Sequence, residues 1–87
     1  MKKVIIYSSD YCRYCNMAKS LLMKEQISFE EINVSQNNKL KEEMIKKTGG
    51  CRTVPQIFIR NQHIGGYEQL LSYIDSTGWN GTGESLG

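Results

Sequence analysis

Eighty-seven residues with a single proline make one small domain, long enough to close one core and too short for a second. Hydrophobic residues at 39% and charged residues at 23% exclude a disordered or collagen-like chain. The net charge of +2 falls short of the dense basic patch of a nucleic-acid binder, although it favours a small anionic substrate.

The opening "MKKVIIYSSDYC" has no signal-peptide core, and no stretch reaches the roughly 20 apolar residues of a membrane span. The chain therefore reads as cytoplasmic, with neither membrane nor nucleic acid as partner. "KVIIY" (3–7) is a short apolar, β-branched run, the pattern of a buried strand. The period then changes: Tyr14, Met17, Ala18, Leu21 and Leu22 mark one inward face of a helix from about residue 13. "SFEEINV" (28–34) is a second strand. "NNKLKEEMIKKTGG" (37–50) is a helix with Leu40, Met44 and Ile45 inward, lysines near its end and a Gly-Gly stop. "QIFIR" (56–60), a turn at "NQ" and "HIG" (63–65) form a hairpin, and Tyr67, Leu70, Leu71 and Ile74 face inward on a last helix. Residues 1–76 form the domain, and 77–87, rich in Gly, Ser and Thr, a tail. The order β-α-β-α-β-β-α makes the first two strands parallel through a right-handed crossover and the last two antiparallel.

Cys12 and Cys15 sit three apart where the first strand gives way to the first helix. Such a pair holds a metal, closes a crosslink, exchanges electrons or simply fills a core. Three cysteines without an export signal do not make a disulfide scaffold. Beyond the close pair there are only a distant Cys51 and the single His63, which is not the spacing of a structural zinc site. A C-x-x-C at the first strand-to-helix junction of such a unit reads as a thioredoxin-like redox motif. Unpaired N–H groups and a partial positive charge at the helix start stabilise a thiolate on Cys12, lowering its pKa below the free value of about 8.5. Arg13 adds a cation beside it. Cys15, one turn on, is covered by the fold, which makes Cys12 the nucleophile and Cys15 the resolving thiol.

"IIYSSDYCRYCNMAKSLL" followed by "RTVPQIFIRNQHIGGYEQL" resembles the glutaredoxins over about residues 3–76. The resemblance implies a thioredoxin-like α/β fold, a four-stranded mixed sheet with helices on both faces, and glutathione as electron donor. Tyr14 matches the family's aromatic position between the cysteines and packs beside the ligand, although it also begins the first helix's apolar face, and Arg13 stands next to the nucleophile. Thr53, Val54 and Pro55 match a cis-proline loop whose Val54 backbone pairs with glutathione as an added strand. Arg52 stands near the glycine carboxylate. Gly65 and Gly66 allow close approach, the helix beginning near Tyr67 offers N–H groups to the γ-glutamyl carboxylate, and Glu68 faces the ammonium. Pro55 as a simple strand start, Glu68 as a first-turn acid and Arg52 as a solvated cation are the plainer alternatives.

The chain departs from the family's usual pattern in four places. Arg13 replaces a proline between the cysteines, which frees an N–H, adds charge and implies a more stable thiolate and a more oxidising pair. Ser8, Ser9 and Asp10 stand where a lysine is common, and Glu68-Gln69 replaces Asp-Asp. One extra residue falls around Gly49 to Cys51. Cys51, near the T-V-P loop, is expected to be a bystander, and His63 and Trp79 packing or surface residues. The sequence-level expectation is a monomeric glutathione-dependent thiol-disulfide oxidoreductase, acting on glutathionylated and disulfide-containing proteins and needing no metal. A redoxin reduced by thioredoxin reductase and an iron-sulfur cluster carrier are the alternatives. The single-thiol C-G-F-S motif of the carriers is absent.

Overall fold

A computed structural model describes residues 3–77; Trp79 and all but the first residue of the expected tail lie outside the described residues. The strands are β1 (Val4–Ser8), β2 (Glu30–Asn33), β3 (Gln56–Ile59) and β4 (Gln62–Gly65), and the helices are α1 (Arg13–Lys24), α2 (Asn38–Lys47) and α3 (Tyr67–Thr77). They form one sheet in the order β2-β1-β3-β4. β1 runs parallel to β2 and antiparallel to β3, and β3 and β4 form the antiparallel hairpin.

Alternation along the two central strands sorts side chains into two cores. Val4 and Ile6 of β1 and Ile57 and Ile59 of β3 pack with Ala18 and Leu22 of α1 and Leu70 and Ile74 of α3. Tyr7 and Phe58 point to the opposite face and pack with Val34 and with Met44 of α2. The helices thus cover both faces, two on one side and one on the other, and the C-terminal end of β1 delivers the chain to the start of α1.

The ends of α1 and α2 follow from local hydrogen-bonding solutions. The Asn37 side chain caps α2 by accepting from the Leu40 N–H at 3.0 Å. At its far end Gly50 N–H donates to Ile45 O at 2.8 Å and Gly49 N–H to Lys46 O at 3.2 Å. That is a Schellman motif, with Gly49 at φ 75°. α1 ends the same way: Ile27 N–H donates to Leu22 O at 2.8 Å and Gln26 N–H to Met23 O at 3.0 Å. Here the left-handed position, φ 60°, belongs to Gln26.

The hairpin turn differs from the sequence expectation by one residue. Arg60 and Asn61 both have positive φ, 54° and 65°, and Ile59 pairs directly with Gln62. This is the two-residue turn whose twist matches the flanking strands. Arg60 is therefore a turn residue and not the end of β3.

Candidate active site

The turn between β1 and α1 is tied down before it reaches the cysteines. Asp10 N–H donates to Ser35 Oγ and Asn33 Nδ2 donates to Asp10 Oδ1 at 3.0 Å. Tyr11 then takes φ 56° with its side chain fully exposed. Cys12 is the N-cap of α1. Its Sγ accepts from the Cys15 N–H at 3.1 Å, so the thiol sulfur stands where a capping oxygen would satisfy an orphan donor. A thiolate there meets a fixed N–H and the positive end of the helix. Cys12 is partly exposed while Cys15 is 0% exposed, the asymmetry expected of nucleophile and resolving thiol. The two are joined as a disulfide with Cα atoms 5.2 Å apart.

Cys12 Sγ also lies 3.7 Å from the Val54 carbonyl oxygen, which brings the Thr53–Val54–Pro55 loop to the Cys12 sulfur. The Val54–Pro55 bond is cis, as the motif implied. This loop forms one wall of a groove of about 480 Å³. Tyr14, Thr53, Val54, Pro55, Gly66, Tyr67 and Glu68 all line it. The rings of Tyr14 and Tyr67 stand 6.3 Å apart across its apolar side. At its other end the start of α3 presents N–H groups with no carbonyl in their own helix. Gln69 accepts from the Gly66 N–H at 3.0 Å, half of a capping box, and so does structural work that a shorter acid would not reproduce in the same geometry. Gly65 has φ 127° and a Cβ there would meet Gln69 Cγ at 2.9 Å, so the close approach requires glycine.

Two expected residues stand apart. Arg13 lines a separate depression of about 570 Å³ along α1, with Lys24 and Tyr67. Arg52 is exposed and is absent from the groove's lining.

The groove also contains Cys51, which its place before the T-V-P loop had brought into view, and two residues that the sequence did not single out for it. Cys51 lines the wall, its N–H donating to Thr48 Oγ1 at 3.0 Å. Gln56 and His63 line it too, joined by a 2.6 Å hydrogen bond between His63 Nε2 and Gln56 Oε1. Correct placement of the hairpin turn is the signal that would have found this pair, since it sets His63 against Phe58, two residues beyond Gln56 on the same face. Away from the groove, Lys19 at 2.8 Å and then Ser8 hold the Glu31 carboxyl below the usual carboxylate range. Among the described residues, His, Cys, Asp and Glu gather nowhere in a group of three fit to hold a metal ion, and no helix is long and apolar enough to cross a membrane.

The glutaredoxin family model matches residues 4–64. Glutaredoxin 1 of Rickettsia prowazekii (strain Madrid E) is 50% identical over 70 residues, covering 79% of this chain and 74% of that protein. Glutaredoxin 3 of Escherichia coli (strain K12) is 46% identical over 78 residues, covering 90% and 92%. Among solved structures, glutaredoxin 1 from Francisella tularensis, complexed with cacodylate, matches with a TM-score of 0.74 and 36% identity over 87% of this chain and 95% of that one. A buckwheat glutaredoxin–glutathione complex matches with a TM-score of 0.76 and 27% identity over 86% and 70%.

Proposed function

The chain belongs to the glutaredoxin family of thiol-disulfide oxidoreductases, and from that premise we propose that glutathione is its electron donor and that glutathionylated proteins and protein disulfides are its substrates. The observation that carries this reading is the Cys12 sulfur capping α1 while opening beside a groove bounded by the Val54 backbone and the start of α3. Glutathione is an extended tripeptide with two carboxylates and one ammonium. A free backbone edge suits its cysteinyl amide, a helix N-terminus its γ-glutamyl carboxylate and Glu68 its ammonium, while Arg52, exposed outside the lining but between the lining residues Cys51 and Thr53, would have to reach in from the rim for the glycine carboxylate. Tyr14 and Tyr67 supply apolar walls, and Arg13 supplies positive charge beside the nucleophile. The buckwheat relative's complex with glutathione supports glutathione as the ligand.

In the reaction, the Cys12 thiolate attacks the glutathionyl sulfur of a mixed disulfide. A Cys12–glutathione disulfide forms as the substrate's bond breaks, and the substrate leaves as a thiolate that takes a proton from water. The thiolate of a second glutathione attacks the same glutathionyl sulfur, releasing glutathione disulfide and restoring the Cys12 thiolate. With a protein disulfide, the mixed disulfide instead joins Cys12 to the substrate. Cys15 resolves it, and two glutathiones then reduce the Cys12–Cys15 bond. Neither route calls on a metal. We place this monomeric activity in the cytoplasm.

The test is reduction of a cysteine–glutathione mixed disulfide, with glutathione and glutathione reductase in one arm and thioredoxin reductase in the other. Turnover in the glutathione arm is expected. Turnover with thioredoxin reductase alone would overturn the donor assignment.

A further inference from the structure

Gln56 is 5% exposed and its amide is fully committed. Nε2 donates to the Thr53 carbonyl oxygen at 3.0 Å and lies 3.4 Å from Thr53 Oγ1, and Oε1 meets His63 Nε2 at 2.6 Å. The assignment of donors follows from valence alone. The Thr53 carbonyl can only accept, so the NH₂ end of the amide faces it and the oxygen faces His63. His63 Nε2 must then carry the hydrogen. The imidazole is held in place by packing at a tilt against Phe58, with centroids 5.1 Å apart.

The consequence reaches the groove through one peptide plane. The Thr53–Val54 bond is trans, the cis bond being the next one, and in a trans peptide the C=O and N–H point in opposite directions. With the Thr53 C=O held by Gln56, the Val54 N–H points the other way, and Val54 itself lines the groove. Among the described residues no acceptor pairs with that N–H. A donor left open beside the nucleophile is a binding contact whose direction has been set in advance.

We propose that Gln56 and His63 are positioning residues for the disulfide exchange: His63 orients the Gln56 amide, and Gln56 holds the Thr53–Val54 peptide so that the Val54 N–H is presented to the glutathionyl group of the substrate. This rests on the glutathione reading above. Gln56→Glu cannot donate to the Thr53 carbonyl and repels it. His63→Phe keeps an aromatic ring against Phe58 and loses the donor. His63→Gln restores an N–H at a similar reach.

The experiment compares steady-state reduction of a cysteine–glutathione mixed disulfide by wild type and these three variants, alongside the rate of Cys12 alkylation by iodoacetamide, which needs no glutathione groove. The expected result for His63→Phe is a KM raised about three- to fivefold with kcat within about twofold, as for one weakened hydrogen bond. For Gln56→Glu it is a KM raised about tenfold or more. His63→Gln should recover most of the His63→Phe loss, and alkylation should stay within about twofold throughout. A His63→Phe protein equal to wild type, a His63→Gln protein no better than His63→Phe, or alkylation falling in step with turnover would overturn the proposal. The His63 pair carries the test alone if Gln56→Glu does not fold. A wild type inactive with glutathione overturns the donor assignment and this inference together, whereas an active wild type with unaffected variants overturns only the inference.

Discussion

At the Glu31 carboxyl two donors from different elements meet: the Lys19 ammonium of α1 at 2.8 Å and the hydroxyl of Ser8, a buried residue at the end of β1. Lys19 first, and Ser8 second, hold the folded carboxyl below its ordinary 4.5. The folded state therefore binds this proton less readily than the unfolded chain. The stabilisation is fully present above that ordinary value and is lost as pH falls through the lowered one. Glu31→Gln is expected to flatten the acid limb of stability against pH below 4.5, measured by urea unfolding, while an unchanged limb would remove Glu31 as its source. At this scale the redox pair was legible because its chemistry is carried by spacing: Cys12 and Cys15 lie one turn apart at a strand-to-helix junction. Gln56 and His63 were not legible, because their partnership depends on strand register. A turn placed at Asn61–Gln62 would pair His63 with Arg60, whereas the turn at Arg60–Asn61 sets it against Phe58. That displacement hides the link from His63 to Gln56.

Helix boundaries are decided by caps, and the two Schellman ends show what sequence makes visible. α2 announces its stop with Gly49 and Gly50, and the structure puts the left-handed residue at Gly49. α1 carries no such signal, since Gln26 occupies the equivalent position at φ 60°. The motif forms there because Ile27 and Leu22 join the same core, and packing outweighs the steric cost of a side chain in that region. Gln26→Gly is expected to stabilise the protein by about 0.5–1 kcal/mol, the left-handed penalty removed less the entropy of a glycine in the unfolded chain. A chemical denaturation midpoint that falls would contradict it. Asn37→Ala should cost about 1 kcal/mol through loss of the α2 cap, read in the same assay.

For the whole molecule, the alternation of β1 and β3 divides the apolar residues into two cores of unequal support. α1 and α3 share one face, and α2 alone covers the other, with Met44 its fully buried side chain. Met44→Ala should cost about 2–5 kcal/mol, a large share of the roughly 5–15 kcal/mol that holds a domain together, and a thermal melt within a degree of wild type would contradict it. The strand order and the two-faced architecture were readable from hydrophobic periods and element order. The groove was readable only in outline, because its walls come from three separate stretches, the start of α1, the run from Cys51 into β3 at Gln56, and the run from His63 in β4 into the start of α3. Only the fold decides which neighbours of those motifs share the groove. The asymmetry between a partly exposed, helix-capping Cys12 and a covered Cys15 is the central claim, and turnover of a cysteine–glutathione mixed disulfide by Cys12→Ser and Cys15→Ser proteins tests it most directly. Cys15→Ser should retain that turnover while losing reduction of protein disulfides, and Cys12→Ser should lose both. A Cys12→Ser protein that still turns over the mixed disulfide, or a Cys15→Ser protein that does not, would contradict the account.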